Sequence, residues 1–562
     1  MSEDPTVLRE GERPRDRLGG RSRSSMMVAL GLALVVLGVG GVAFGWPLEE
    51  GGSRVVGASA PIGEGANDLR DITAHNSPTV VANPVDGANL VVVNRVDTPR
   101  FSCAMHVSSD GGAHWAETPV PFPAGEERPE RCYAPDAAFG SDGVLYVSFV
   151  TLAGPGNSPN ALWTARSEDG GLSLSAPVRV AGGLAFQARL AADPRVAGRL
   201  FLSWLQAEAV STLGFPAPGY PIQMAVSEDG GRTWSEPRRV SPPGRERVLA
   251  ATPRVGPDGA VLVLYLDLGE DRLDYHAAHE GRGGPPSPGP WRLVLARSAD
   301  RGQGWAETVV GEVVPADRFV AFVPPFPSLA VDGARGRVYA GFHDARLGDA
   351  DVWVWASADA GVSFGPARRV NDTVEGDGTW QYLPQLGVAP DGRLDVVYYD
   401  RRADPADVRN DTSLQSSHDG GASFGPRAAL SDKAFDSKVG FGSERGLPDL
   451  GSRLGVLSTD QATLAVWTDT RLGTQASNKQ VLAAAVAAHG DTGLGRRAAV
   501  YGGAPAATVG LLILGYALAG APGPSGTPAR SGTAGGVGGG SRRRRGPGSI
   551  RSQRSPQKDL RS

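Results

Sequence analysis

The sequence predicts an all-β chain: a seven-bladed β-propeller of four-stranded antiparallel blades, with a six-bladed ring as the alternative. Two repeats carry this expectation. The first is a short phrase, Ser-x-Asp-x-Gly-x-x-aromatic, whose aspartates are Asp110, Asp169, Asp229, Asp300, Asp359 and Asp419. They stand 59, 60, 71, 59 and 60 residues apart. A period of that length is too long for helical solenoids and suits one blade per copy. The second is a series of paired β-rich runs near residues 78–95, 134–150, 186–206, 250–267, 326–344, 384–400 and 447–469.

Each copy of the phrase reads as a turn. The first runs Ser108-Ser-Asp110-Gly-Gly112-Ala-His-Trp115, and the others close on Leu174, Trp234, Trp305, Phe364 and Phe424. The aspartate is expected to accept hydrogen bonds from amides two and three residues on, and glycine supplies positive φ at little cost. The last side chain is expected to fold back onto the blade.

The paired runs are joined by turns such as Ser141-Asp-Gly143, Pro257-Asp-Gly259 and Pro390-Asp-Gly392. Asp-Gly between apolar runs is a hairpin signal. There are seven pairs for six phrases. The last pair is followed by a plain apolar run, Val481 to Ala488, with no phrase after it. Seven blades follow, the seventh closed by a strand from residues 53–75. In the six-bladed alternative one pair is decoration.

The phrase resembles the BNR, or Asp-box, repeat of the sialidase superfamily, and the resemblance spans roughly residues 78 to 488. It implies that the six aspartates are structural, because the family's boxes are hairpins on the face away from the active site. Sialidases place three arginines on the sugar carboxylate, a tyrosine nucleophile activated by glutamate, and an aspartate as acid and base. Tyrosine serves there because an anionic sugar repels a carboxylate nucleophile. This chain supplies the residue types. It departs from the family at its first arginine, where no Arg-Ile-Pro motif stands and the stretch reads Asn76-Ser-Pro-Thr-Val-Val-Ala-Asn83. No Tyr/Glu pair stands out by spacing. The catalytic candidates implied are Tyr398 or Tyr399 with Glu444, and Asp400.

In an up-and-down blade the phrase turns and the Asp-Gly turns share one face. The other face receives the ends of the second strands and the connections between blades. Those strand ends repeat a pattern: Tyr265-x-Asp267, Phe342-x-Asp344, Tyr398-x-Asp400 and Trp467-x-Asp469. An arginine follows in three of them, Arg346, Arg402 and Arg471. One reading is structural, with each aspartate pairing its own arginine. The other is that the arginines converge on the axis as a carboxylate site, which planar guanidinium groups suit. Candidate ligand-binding residues are therefore Arg346, Arg402, Arg471, Asp344, Asp469 and Trp380.

The connections add Arg128, Glu130 and Arg131, then Arg245, Glu246 and Arg247, then Asp317 and Arg318 to that face. Glu375, Asp377, Trp380 and Arg445 follow, and Trp380 and Tyr382 suit stacking on a sugar ring. A solvated rim is the plain alternative for each. His276 and His279 lie in a Gly/Pro-rich loop without further His or Cys ligands, and Asp349 and Asp351 read as a polar loop rather than a calcium site. No cofactor or metal is expected, and no phosphate loop or Gly-x-Ser-x-Gly elbow is present in residues 47–497.

Outside the repeats lie two long uncharged stretches, Met26–Trp46 and Ala498–Ala521, of 21 and 24 residues. Both reach the length of about 20 residues that crosses a bilayer core. Arginines flank each on the outer side of the chain, so the positive-inside rule places both tails in the cytoplasm and the propeller outside. The expected organisation is a basic tail 1–25, a signal-anchor 26–46, a linker 47–75, the propeller 76–488, and a linker 489–497. A second membrane helix 498–521 and a disordered basic tail 522–562 complete it. A cleavable signal peptide remains open for the first stretch, with Gly41-Val-Ala43 as its cleavage site.

The net charge of the whole chain is −4. Removing +1 for residues 1–25 and +8 for residues 522–562 leaves −13 for the rest. Nucleic acid is thus an improbable partner for the exported part, and the basic tail suits anionic lipid. The expected partners are membrane lipid and a glycan or protein ligand. The two cysteines, Cys103 and Cys132, read either as a bond across blades one and two, worth about 3–4 kcal/mol in an oxidising compartment, or as free buried thiols.

Overall fold

The computed structural model describes residues 53–489 apart from 64–70, 125–130, 155–156, 209–219, 246, 272–288, 317–324 and 441–449. The stretches 26–46 and 498–521 lie outside these residues. Among the described residues every regular element is a strand. No helix there is long and apolar enough to cross a membrane.

The first strand, β1 (Ser53–Ile62), joins the last blade. Blade one is β2 (His75–Asn83), β3 (Asp86–Val96), β4 (Ser102–Ser108) and β5 (Ala116–Glu117). Blade two is β6 (Cys132–Phe139), β7 (Leu145–Ala153), β8 (Ser158–Ser167) and β9 (Val178–Ala181). Blade three is β10 (Ala185–Ala192), β11 (Leu200–Gln206), β12 (Ile222–Ser227) and β13 (Arg238–Arg239). Blade four is β14 (Val248–Val255), β15 (Val261–Asp267), β16 (Trp291–Ser298) and β17 (Ala306–Val313). Blade five is β18 (Ser328–Asp332), β19 (Arg337–Asp344), β20 (Asp351–Ser357) and β21 (Arg368–Arg369). Blade six is β22 (Gln381–Val388), β23 (Leu394–Asp400), β24 (Arg409–Ser417) and β25 (Ala428–Ala429), with β26 (Phe435–Asp436) also paired to β24. Blade seven is β27 (Gly455–Ser458), β28 (Ala462–Asp469) and β29 (Val481–His489), completed by β1.

The first strands of successive blades touch in a closed circuit: β2, β6, β10, β14, β18, β22, β27 and back to β2. The ring therefore has seven blades, and the six-bladed alternative falls. Closure is made by β1 running antiparallel to β29, from Ser53 opposite His489 to Ile62 opposite Leu482. The second strands are buried on both faces because each is sandwiched between neighbouring blades. In β15 and β23 every residue is buried, which is why they read as nearly continuous apolar runs.

The six phrases all form the loop from third to fourth strand, and their geometry corrects one expectation. At Asp359 the carboxylate accepts the amide of Ser363 at 2.9 Å and its hydroxyl at 2.6 Å. That is four residues on, and the amide in that place bonds the aspartate at all six sites. The amide three residues on joins it only at Asp300 and Asp419. The serine takes the nearer role: Ser357 Oγ donates to Asp359 at 2.7 Å and accepts the Gly361 amide at 2.9 Å. The reason is Gly361, whose φ of 85° swings the chain so that the later amide faces the carboxylate. Ser363 and Ser357 donors together hold the Asp359 carboxyl down at about 2. Trp115, Leu174, Trp234, Trp305, Phe364 and Phe424 pack against the core as expected.

Cys103 and Cys132 are bonded, joining β4 of blade one to β6 of blade two across a Cα–Cα distance of 5.7 Å.

Five first strands carry a bulge at the same place, opened by a residue with positive φ: Ser77 at 55°, Ala134 at 52°, Gln187 at 56°, Ala250 at 60° and Leu383 at 55°. Non-glycine residues adopt this conformation only at a cost. Bulges re-aim the side chains that follow them. Here those side chains are Thr79, Asp136, Arg189, Thr252 and Gln385, all polar.

Candidate functional site

The second-strand ends and inter-blade connections meet on the face opposite the phrase turns. Arg346 holds both oxygens of Asp344, at 2.8 and 2.6 Å, and the Glu312 carbonyl at 2.9 Å. Its guanidinium lies 4.5 Å from the Trp353 ring. Arg402 binds Asp400 at 2.7 Å, Asp372 at 2.5 Å and the Tyr398 hydroxyl at 3.2 Å. Arg471 binds Asp469 at 2.9 and 2.6 Å, Ser59 at 2.9 Å, and Asp432. Each arginine thus spends its donors on its own strand-end aspartate and a neighbouring connection. Asp267 has no arginine two residues on, and Arg245 from the preceding connection binds it instead. The repeated element is an ion pair at the end of the second strand, made with whichever arginine reaches it.

Tyr398 and Tyr399 are fully buried. Tyr398 donates to Gln415 at 2.7 Å, and Tyr399 donates to the Thr468 carbonyl at 3.0 Å. Burial pushes both phenols up, with Asp400 adding to the effect at Tyr398 and Tyr382 adding to it at Tyr399. Asp400 is equally buried and accepts from Arg402, Ser413 and Gln381, with Arg427 at 3.1 Å. Glu444 lies outside the described residues, as do Arg128, Glu130, Glu246, Asp317, Arg318, Arg445, His276 and His279.

A Tyr/Glu pair does exist, hidden by a separation of 42 residues. Tyr265 of β15 donates to Glu307 of β17, and Glu307 also holds Arg245 at 2.8 Å. Burial, then the Glu307 carboxylate, pushes the Tyr265 phenol up. A phenol held in that direction is a donor rather than a ready nucleophile.

A different grouping assembles between blades five and six. The loop after β19 places Asp349 so that Oδ2 accepts the Gly378 amide at 2.6 Å, while Oδ1 is buried without a hydrogen-bond partner. The loop after β23 places Asp407 so that Oδ1 accepts the Trp380 amide at 2.9 Å and Oδ2 lies 3.2 Å from Arg401. Between them, Asp377 caps Thr379 through its amide and hydroxyl, at 2.8 and 2.7 Å. The segment 377–380 is thereby pinned by aspartates from two loops, with the half-buried Trp380 ring at its end. Arg401 stands 5.8 Å from that ring.

Burial raises the Asp349 carboxyl above its ordinary value, and the nearby Asp351 and Asp377 carboxylates add to this against the Gly378 amide. Burial likewise raises Asp407, against the pull of Arg401. Raised in this way, both carboxyls take up protons more readily than an ordinary aspartate. Among the described residues no group of three or more His, Cys, Asp or Glu side chains could hold a metal ion.

No family model matches the sequence, and no curated protein matches it. Solved structures do resemble it. A Dyadobacter fermentans protein of unknown function is 14% identical over 78% of this chain and 99% of that chain, with a TM-score of 0.43. An ulvan lyase bound to a glucuronate–rhamnose sulfate segment is 12% identical over 75% and 93%, with a TM-score of 0.42. Trypanosoma rangeli sialidase in complex with sialic acid is 11% identical over 77% of this chain and 58% of that chain, with a TM-score of 0.34. At these identities and scores the likeness carries no argument about activity.

Proposed function

We propose that this propeller binds a glycan on the loop face between blades five and six, and that it does so outside a membrane that its two apolar stretches anchor. The observation that carries the reading is the Asp349–Asp377–Trp380–Asp407 grouping. An indole offers a flat apolar face to the C–H side of a sugar ring, and the carboxyls answer its hydroxyls. Arg346, Arg402 and Arg471 set the rim on blades five to seven. Titrating the full chain with a panel of neutral and acidic oligosaccharides tests this. At least one should bind, with affinity reduced tenfold or more by Trp380→Ala; a panel without a binder removes the reading.

The second reading is glycoside hydrolysis, favoured by one observation: a carboxyl raised by burial, as at Asp349, is what a general acid requires. Release of a fluorophore from an aryl glycoside, abolished by Asp349→Asn, would establish it. Protein ligands and a scaffold role in the cell envelope are what remains if both tests fail. Anchoring is tested by fusing a reporter active only outside the cytoplasm. It should be active after residue 489 and inactive after residue 530.

A further inference from the structure

The chain enters and leaves the ring at one corner. In blades one to six the third strand ends on the phrase serine, as β24 does on Ser417. β29 is the third strand of blade seven, and its last residue, His489, stands at the corresponding end. Blade seven carries no phrase there, and the chain leaves instead. β1 enters at the same place, because it runs antiparallel to β29 with Ser53 opposite His489. Entry and exit are therefore neighbouring strands on the face of the phrase turns.

That corner is fastened to the ring. Ser53 Oγ lies 3.1 Å from His489 Nδ1, and the other ring nitrogen lies 2.7 Å from Thr463 Oγ1 of β28. Thr463 in turn donates to Asp395 of blade six at 2.5 Å, the carboxylate onto which Arg393 forks. The His489 amide donates to the Gln461 carbonyl at 3.0 Å. Entry and exit are thus tied to each other and to blades six and seven.

Chain length then decides which face can meet a membrane. This step rests on the anchoring proposed above, with residues 26–46 and 498–521 crossing the bilayer. Six residues, 47–52, separate the first stretch from Ser53, and eight, 490–497, separate His489 from the second. At no more than about 3.6 Å per residue, the shorter link reaches about 20–25 Å. The nine residues of β29 rise about 3.3 Å each, so the loop end of blade seven stands roughly 25–30 Å from His489. The loop 470–480 lies beyond that end. With the loop face on the bilayer, the shorter link would have to climb this whole height, and it falls short.

We propose that the propeller turns its phrase face to the membrane, so that the loop face, with Asp349, Asp377, Trp380 and Asp407, opens away from it. The ligand is then a glycan that approaches from the surroundings, rather than the sugar headgroup of a lipid in the anchoring bilayer.

The test is energy transfer in the full chain, inserted in vesicles that carry an acceptor dye among the headgroups of both leaflets. The two native cysteines are bonded to each other, so the donor dye goes to an introduced thiol. Ala422→Cys places it in a phrase turn and Ala476→Cys in the loop before β29, both at exposed positions. Strand length separates the two levels by about 25–30 Å, so transfer from Ala422→Cys should exceed that from Ala476→Cys at least about twofold. Equal transfer from the two sites, or more from Ala476→Cys, in a chain that floats with the vesicles would overturn the orientation and leave the anchor standing. A chain that does not float with them removes the anchor and the orientation together.

Discussion

On the face carrying the phrase turns, the repeated bonds join residues two to four apart, as Ser357 to Asp359 and Asp359 to Ser363. On the loop face, Gly378 reaches back 29 residues to Asp349, Trp380 reaches forward 27 to Asp407, and Arg402 reaches back 30 to Asp372. The first face is six copies of one local solution. The second has a repeated ion pair, but each blade completes it with different partners, and burial raises its carboxyls at Asp349 and Asp407. A surface that repeats is suited to holding a ring together, and a surface that does not is where a ligand can be told apart.

The sharpest challenge to this contrast lies on the phrase side, where one cluster crosses blades. Arg393, 1% exposed, forks onto Asp395 at 2.9 and 3.1 Å and also reaches the Thr459 carbonyl of blade seven at 2.7 Å. Asp395 takes Ser416 and Thr463 as well. Asp395→Ala should cost about 3–5 kcal/mol, because it strands a buried guanidinium. The check is a lowered urea midpoint at unchanged slope.

Acid should act next. Burial lowers His106 to about 3 and His343 and His489 to about 4, from an ordinary 6.5. These groups stay neutral in the folded ring while the unfolded chain takes up protons. Their contribution is therefore complete above pH 6.5 and is lost as pH falls toward 4. Linkage bounds the loss at about 3 kcal/mol for each of His343 and His489. His106 is buried in β4 of blade one, so His106→Gln should flatten the acid side of the stability profile. The smallest effect belongs to a single turn. Asp419→Ala removes four local hydrogen bonds at an exposed site and should cost about 1 kcal/mol.

What the sequence made legible follows the same division. The seven strand pairs, the turns and the closure by β1 were readable because each is encoded within a few adjacent residues. The donor four residues on was missed because it depends on the φ of Gly361 and its equivalents. Tyr265 with Glu307, and Arg245 with Asp267, were invisible because blade stacking joins them. The bulges did leave a trace. Ser77-Pro-Thr79, Ala134-Pro-Asp136, Gln187-Ala-Arg189, Ala250-Ala-Thr252 and Leu383-Pro-Gln385 share one form, a proline or alanine followed by a polar residue. In these five strands that triplet sits at the bulge.

The most direct test of the contrast between the faces is a paired measurement at 25 °C, with both variants folded, using any oligosaccharide that binds the full chain. Asp359→Ala should lower the urea midpoint by about 1 kcal/mol in stability and leave the dissociation constant unchanged. Trp380→Ala should weaken binding at least tenfold. If Asp359→Ala instead weakened binding and Trp380→Ala did not, the assignment of structure to one face and recognition to the other would be contradicted.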